Sequence, residues 1–543
     1  MTRAFDWGHG YPSQRLPVFG RNVVATSHPQ AAQAGLRVLY GGGNAVDAAI
    51  ATAAAMTIVE PVSNGLGSDA FALVWDGTQL HGLNASGGAP QAWTGEYFQR
   101  RYGAAAVAPP KRGWDSVTVP GAVAGWVALS ERFGRLPFGD LMAPAIELAE
   151  RGCAVPVVVQ QKWAAAVPLL RDQPGFAQAF MPQGRAPHVG ELFRFADAAR
   201  SLRLIAASKG QALYGGEIAH AAAAHARAHG GAMTEADFAA CRAEWVAPIG
   251  IDFADHTVHE MPPNGQGIAA LIALGIARHF ELASMPVDGV ESQHVLIEAM
   301  KLAFADTYRF VADASSMEVS TAQLLAPAYL ASRAALIDRK RAQDFGHGNP
   351  VAGGTIYLGA ADERGMMVSF IQSNYMGFGS GIVVPGYGLS MQNRGHAFNL
   401  QASSPNAVAP GKRPFHTIIP SFLTRTTGGV QQAVMSFGVM GGNMQPQGHL
   451  QTTVRMLVHG QNPQAACDAP RWRFNAGLEI NVEAGMNPQT VAGLQALGHR
   501  VEVIDDSYQD FGAGQFIWRL GDPAVEGYVA ASDPRRDGQA QAF

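Results

Sequence analysis

A hairpin signature beginning at Thr355 constrains this chain most. Gly353-Gly354 precedes a strand-like run from Thr355 to Asp362. The turn Glu363-Arg364-Gly365 follows, then a second strand-like run from Met366 to Ser373. Two strands joined by so short a turn pair antiparallel. A turn centred on Arg364 sets Thr355 opposite Ser373 at the open end of the hairpin. Two hydroxyls then face each other directly after two glycines, which suits a chain that cuts its own backbone before Thr355. Cleavage would leave an α-amine beside a hydroxyl, and the amine could act as base for that nucleophile. β-Propensity and turn chemistry also place threonines after Gly-Gly, so the segment needs support from the rest of the chain.

With 543 residues there is length for a large core or for more than one domain. An apolar fraction of 48% against 15% charged residues describes a compact fold and excludes a disordered chain. The formal charge is −4 and no basic run is sustained, which argues against nucleic acid as a partner. Cys153, Cys241 and Cys467 are far apart and odd in number, so neither a disulfide framework nor a zinc site is indicated, and a reducing compartment fits. Residues 1–9 lack an apolar core of the secretory type. The longest apolar stretch, Ala48 to Val59, is too short for a bilayer and reads as a buried helix. The expectation is a soluble, cytoplasmic protein with no membrane partner.

Val23 to Ser27 reads as a short strand, and a helix is expected from Pro29 to Tyr40, stopping at Gly41-Gly42-Gly43. A second helix starts after the N-cap Asn44. The glycine-rich Ser63 to Asp69 lacks the Lys-Ser/Thr of a phosphate loop and precedes a strand, Ala70 to Trp75, so it reads as a tight structural loop. Helices are expected over Glu217 to His229 and His294 to Val311. His225 and His229 lie one turn apart without the glutamate of a zinc-protease motif, which reads as an exposed helix face. Arg339 to Gly354 turns polar and then Gly/Pro-rich, as backbone scission tolerates.

Five segments together carry a family resemblance. They are Gly42 to Ala49, His294 to Asp306, Phe378 to Gly381, Gly411 to Pro414 and Gly441 to Gln447. In this order, with Thr355 in register, the chain from Val23 to its C-terminus resembles the γ-glutamyltransferase family of N-terminal nucleophile hydrolases. The resemblance implies an α+β fold, a four-layer αββα sandwich. It implies self-cleavage into a large chain of residues 1–354 and a small chain of 355–543, interleaved in one domain, and it allows pairing as (αβ)2. It also implies Thr355 as nucleophile, its freed amine as base, Ser373 as the hydroxyl that orients it, and Gly441 and Gly442 as the oxyanion glycines. Glycine lets backbone N–H groups approach a tetrahedral oxyanion closely.

The departures from the family pattern bear on substrate. The arginine that grips a γ-glutamyl carboxylate in the family falls here at Ser86, and the aspartate that grips its amine falls at Ala397. The family's Ser-Ser pair becomes His416-Thr417. The asparagine after the hairpin becomes Tyr375, with Asn374 adjacent. Losing both charged clamps should weaken γ-glutamyl donors, because unpaired charges in a dry pocket cost several kcal/mol. Arg394 is the candidate replacement, since guanidinium holds carboxylate bidentately, and His416 adds a donor. The segment Phe398 to Lys412 is short where lidded members carry a longer loop, so a more open site is expected.

The chain looks most like the oxamate amidohydrolase and cephalosporin acylase members. The expected substrate is a small amide whose acyl group bears a carboxylate, hydrolysed without cofactor or metal. Two alternatives stand beside it: a γ-glutamyl hydrolase or transferase, and a non-catalytic binding protein on the same fold. A nucleotide-binding protein using Gly65 to Asp69 is a further class, and it predicts no cleavage.

Overall fold

The computed structural model describes Trp7 and residues 14–346, 354–505 and 511–543. Residues 347–353 of the segment expected before Thr355, and residues 1–6, 8 and 9 of the N-terminus, lie outside these residues. Among those described, two seven-stranded antiparallel sheets dominate. One runs, in spatial order, Gln541–Ala542, Val23–Thr26, Gly354–Ala361, Met367–Tyr375, Asp69–Trp75, Leu80–Ala85 and Glu244–Val246. The other runs Val18–Gly20, Tyr528–Ser532, Ala513–Arg519, Val430–Met440, Ser421–Thr427, His256–Glu260 and Ile249–Phe253. Residues on both sides of Thr355 supply strands to both sheets.

Strand alternation builds the layers. Along Asp69–Trp75, Phe71, Leu73 and Trp75 point to the second sheet and meet Phe422, Met440 and Ile517. Ala70, Ala72 and Val74 point the other way, onto the helices Pro29–Tyr40, Ala45–Val59 and Ala122–Phe133. Val258, Leu423, Phe437 and Phe516 on the far side of the second sheet pack on Gly267–Ala277, Val290–Phe310 and Met444–Leu457. The order is helix, sheet, sheet, helix, the αββα sandwich of the expectation. Both faces of each sheet are covered, so the strands read as near-continuous apolar runs. Each fully buried Leu or Phe there contributes about 1.5–3 kcal/mol.

Local signals landed well in the first helices. Asn44 and Asp47 form a reciprocal capping box for Ala45–Val59, all of whose residues are buried. Its alanines permit close approach between the neighbouring helices and the sheet. The Asp362 carboxylate in the hairpin turn accepts from Ala45 N–H at 2.8 Å, tying the hairpin to that helix start. No helix among the described residues is long and apolar enough to cross a membrane.

Candidate active site

The hairpin pairs as expected from Ala361↔Met367 to Ile356↔Gln372. The register then slips by one, with Gly354 opposite Tyr375. Thr355 sits in this bulge, a feature that re-aims a side chain, and the Thr355 and Ser373 hydroxyls lie 3.2 Å apart. Thr355 is only 4% exposed, so the uncleaved chain does not show the more open site expected. The short segment after Phe398 instead packs through Phe398, Leu400 and Val408 on Trp93 and Phe98.

Ser373 Oγ accepts from Tyr375 N–H at 2.8 Å and from Arg394 Nη2 at 3.4 Å. Tyr375 holds φ +77, a left-handed backbone uncommon for a bulky residue. The Arg394 guanidinium stands 4.2 Å from the centre of its ring. Arg394 Nη1 donates to Thr417 Oγ1 at 2.8 Å. Arg394 is fully buried, and among the described residues no carboxylate forms an ion pair with it and its Nε has no hydrogen-bond partner. Burial lowers its pKa to about 10, against smaller upward influences of Tyr375 and Asp69.

Two residues that the sequence reading passed over complete the group. Asp69, placed in the glycine-rich loop by that reading, begins its strand directly opposite Ser373. Its carboxylate accepts from Gly87 N–H at 3.2 Å, Gly121 N–H at 3.1 Å and His416 Nε2 at 3.2 Å. Burial pushes Asp69 up to about 7, opposed by Arg394 and the two amides. Burial, with Arg394, holds the His416 imidazole well below its ordinary value. The second residue is Gln266, which bonds both Thr417 and Gly442 through their carbonyls. A carboxylate heading the fully buried strand Asp69–Trp75 was the one sequence signal available, because such a group demands partners.

Gly441 and Gly442 follow the last residue of Val430–Met440 and take φ +124 and +61. Among the described residues their N–H groups make no hydrogen bond, so both donors remain available. A Cβ on Gly441 would meet Gly512 Cα at 2.9 Å, so only glycine fits there.

The remaining candidates separate. Thr417, His416 and Tyr375 join the group. Asn374 does not: alternation turns it to the opposite face from Ser373, where Ser68 Oγ donates to its Oδ1 at 2.7 Å and its Nδ2 reaches Ser390 Oγ at 3.3 Å. Ser86 directly follows the strand Leu80–Ala85 of the same sheet and bonds other partners. Its hydroxyl donates to Asn84 Oδ1 at 2.7 Å and lies 3.3 Å from Asn264 Nδ2. Ser86 and Asn264 line a neighbouring cleft of about 640 Å³ with Arg413 and Asp237, and Thr355 is not part of that lining.

For a metal ion, His294, Glu298 and His499 have ligand atoms within 4.8 Å of one another, a cluster no local spacing revealed. Apart from His499 Nδ1, its donors are engaged. Lys301 Nζ donates to Glu298 Oε1 at 2.7 Å, the two imidazoles are 2.8 Å apart, and His294 Nε2 bonds the Asp338 carbonyl at 2.9 Å. The expected helix-face pair is half right: His229 is exposed, but His225 is half-buried and its Nδ1 accepts from Trp114 Nε1 at 3.2 Å.

Comparison with known proteins places this arrangement. The model of the gamma-glutamyltranspeptidase family matches residues 31–543. An oxamate amidohydrolase proenzyme of Klebsiella pneumoniae is 35% identical over 538 residues, covering 96% of this chain and 98% of that one. A glutathione hydrolase-like proenzyme of Bacillus subtilis is 34% identical over 534 residues, with the same coverage. The crystal structure of a cephalosporin acylase from Bacillus halodurans superimposes with a TM-score of 0.93 at 46% identity, covering 100% of this chain and 99% of that one. This chain belongs to the gamma-glutamyltranspeptidase family of N-terminal nucleophile hydrolases.

Proposed function

We propose that this protein is a self-processing amidohydrolase for small amides whose acyl part carries a carboxylate. The observation that carries the substrate reading is Arg394: a buried guanidinium that makes no ion pair among the described residues, beside the Thr355–Ser373 pair. A buried cation that only the nearby Asp69 carboxyl offsets, without a direct ion pair, is costly, and a ligand carboxylate would relieve it. The relatives named as oxamate amidohydrolase and cephalosporin acylase support the same class.

In this reading the chain is cut between Gly354 and Thr355 into pieces of 354 and 189 residues that stay interleaved. The freed Thr355 amine takes the proton of Thr355 Oγ1 as the oxygen attacks the amide carbon. The Gly441 and Gly442 N–H groups hold the oxyanion. The amine proton passes to the leaving nitrogen, the C–N bond breaks, and an acyl ester remains on Thr355. Water, deprotonated by the same amine, hydrolyses the ester. Arg394 and the Thr417 hydroxyl orient the acyl carboxylate.

A γ-glutamyl specificity needs a carboxylate for the substrate ammonium. Asp69 is the acidic side chain of this network, and Gly87, Gly121 and His416 already occupy it. The binding-protein alternative gives no role to two glycine N–H groups that make no hydrogen bond among the described residues.

The test is intact mass beside a Thr355→Ala variant. The full chain is 57.3 kDa. Fragments of about 37 and 20 kDa, scaled from length, with Thr355 at the new N-terminus and both absent in the variant, are expected. Glutaryl and oxamyl amides should then be hydrolysed faster than their neutral counterparts. A single uncut chain that still hydrolyses amides would overturn the mechanism.

A further inference from the structure

We propose that Gln266 is a positioning residue that ties the glycine turn at Gly441–Gly442 to the acyl pocket of Arg394 and Thr417. The inference rests on the reading of the site given above. Gln266 is fully buried just before the helix Gly267–Ala277. Its carboxamide faces two carbonyls, which fixes the NH2 end toward them. Nε2 donates to Thr417 O at 2.6 Å and to Gly442 O at 2.9 Å. Its backbone N–H donates to His416 O at 2.9 Å.

One NH2 group therefore spans two parts of the proposed chemistry. Thr417 presents its hydroxyl to Arg394. Gly442 sits at φ +61, a left-handed conformation that glycine adopts without steric cost. Without a tether the turn and the pocket could shift independently, and misplacement of oxyanion donors by a fraction of an ångström weakens them steeply. A second link runs parallel, since Ile419 N–H donates to Gln445 Oε1 at 2.9 Å. Gln445 also holds the turn, since its backbone N–H donates to Gly442 O at 3.2 Å, so the carbonyl of Gly442 accepts from both glutamines and Gln266 adds the link to Thr417. Leucine matches glutamine in size but has no donor, and glutamate would set a carboxylate against two carbonyls.

The test uses the processed enzyme, with glutaryl-p-nitroanilide and its methyl ester as probes and rates normalised to titrated active sites. Gln266→Leu should lower kcat 10- to 100-fold on both probes and raise KM more than fivefold on the acid alone. A purely structural loss would reduce the active fraction and leave both KM values unchanged, and that result overturns the inference. If Gln266→Leu fails to process, Gln266→Asn keeps the amide but shortens its reach. It should show the same KM split in weaker form, and wild-type kinetics on both probes would overturn the proposal. Thr355→Ala separates the levels. An active Thr355→Ala enzyme removes the site reading and this inference with it. An inactive one beside an unaffected Gln266→Leu enzyme removes this inference alone.

Discussion

Replacing Arg394 with methionine should separate binding from stability. Burial holds its pKa at about 10 against an ordinary 12.5. That corresponds to about 3 kcal/mol of unfavourable charge burial, at about 1.4 kcal/mol per decade. Methionine removes this cost. It also removes the hydrogen bonds to Thr417 and Ser373, worth about 1 kcal/mol each, and the contact with the Tyr375 ring, worth about 1–2 kcal/mol. The terms nearly cancel, so unfolding free energy should change by no more than about 1 kcal/mol, as for other buried charges replaced by apolar groups of similar size. The substrate sees no such cancellation. Two charge-assisted bonds to a carboxylate contribute about 3–4 kcal/mol together, a factor of roughly 10²–10³ in kcat/KM. The assay compares kcat/KM for a carboxylate-bearing anilide and its methyl ester in both enzymes, with a denaturation curve for each. The acid should lose that factor while the ester changes less than about tenfold. Equal losses on acid and ester would refute the assignment of Arg394 to the acyl carboxylate.

Three further outcomes follow from the same geometry. Gly441→Ala forces a Cβ to within 2.9 Å of Gly512 Cα at φ +124, and should lower kcat by about 10²-fold or more while leaving KM within about threefold, read from steady-state kinetics. Thr355→Ser keeps a hydroxyl 3.2 Å from that of Ser373 and should still cut the chain, whereas Thr355→Ala should not, as intact mass reports. For Asp69, burial raises the folded pKa from 3.8 to about 7. A raised carboxyl contributes fully below about pH 4 and loses that contribution as pH rises through 7, up to about 4 kcal/mol. Asp69→Asn should therefore flatten the fall in stability between about pH 4 and 7, measured by urea denaturation, and an unchanged slope would contradict the shift.

The hairpin was readable because its contacts are local. Eighteen positions separate Thr355 from Ser373, and a short turn leaves few registers. Even so, alternation and a turn position do not foresee a bulge, and Thr355 owes its aim to one. The helix start at Asn44 was readable for the same local reason, through its cap. The partner of Asp69 was not: His416 is 347 positions away. Gln266 likewise reaches Thr417 and Gly442 across 151 and 176 positions. Asn374 was drawn into the site by its neighbour in sequence, and the pleat of the strand turned it out.

The strand hairpin with its two hydroxyls, the capped buried helix and the glycine pair were legible in the residues alone. Each is a property of residues a few positions apart, set by backbone sterics, turn chemistry and side-chain type. The closed fold was needed to show that Arg394 is buried with no ion pair among the described residues, that Asp69 bonds His416, and that Gln266 bonds both Thr417 and Gly442. Those are matters of desolvation and of hydrogen bonds between distant segments, and they exist only once two sheets have closed on each other and excluded water.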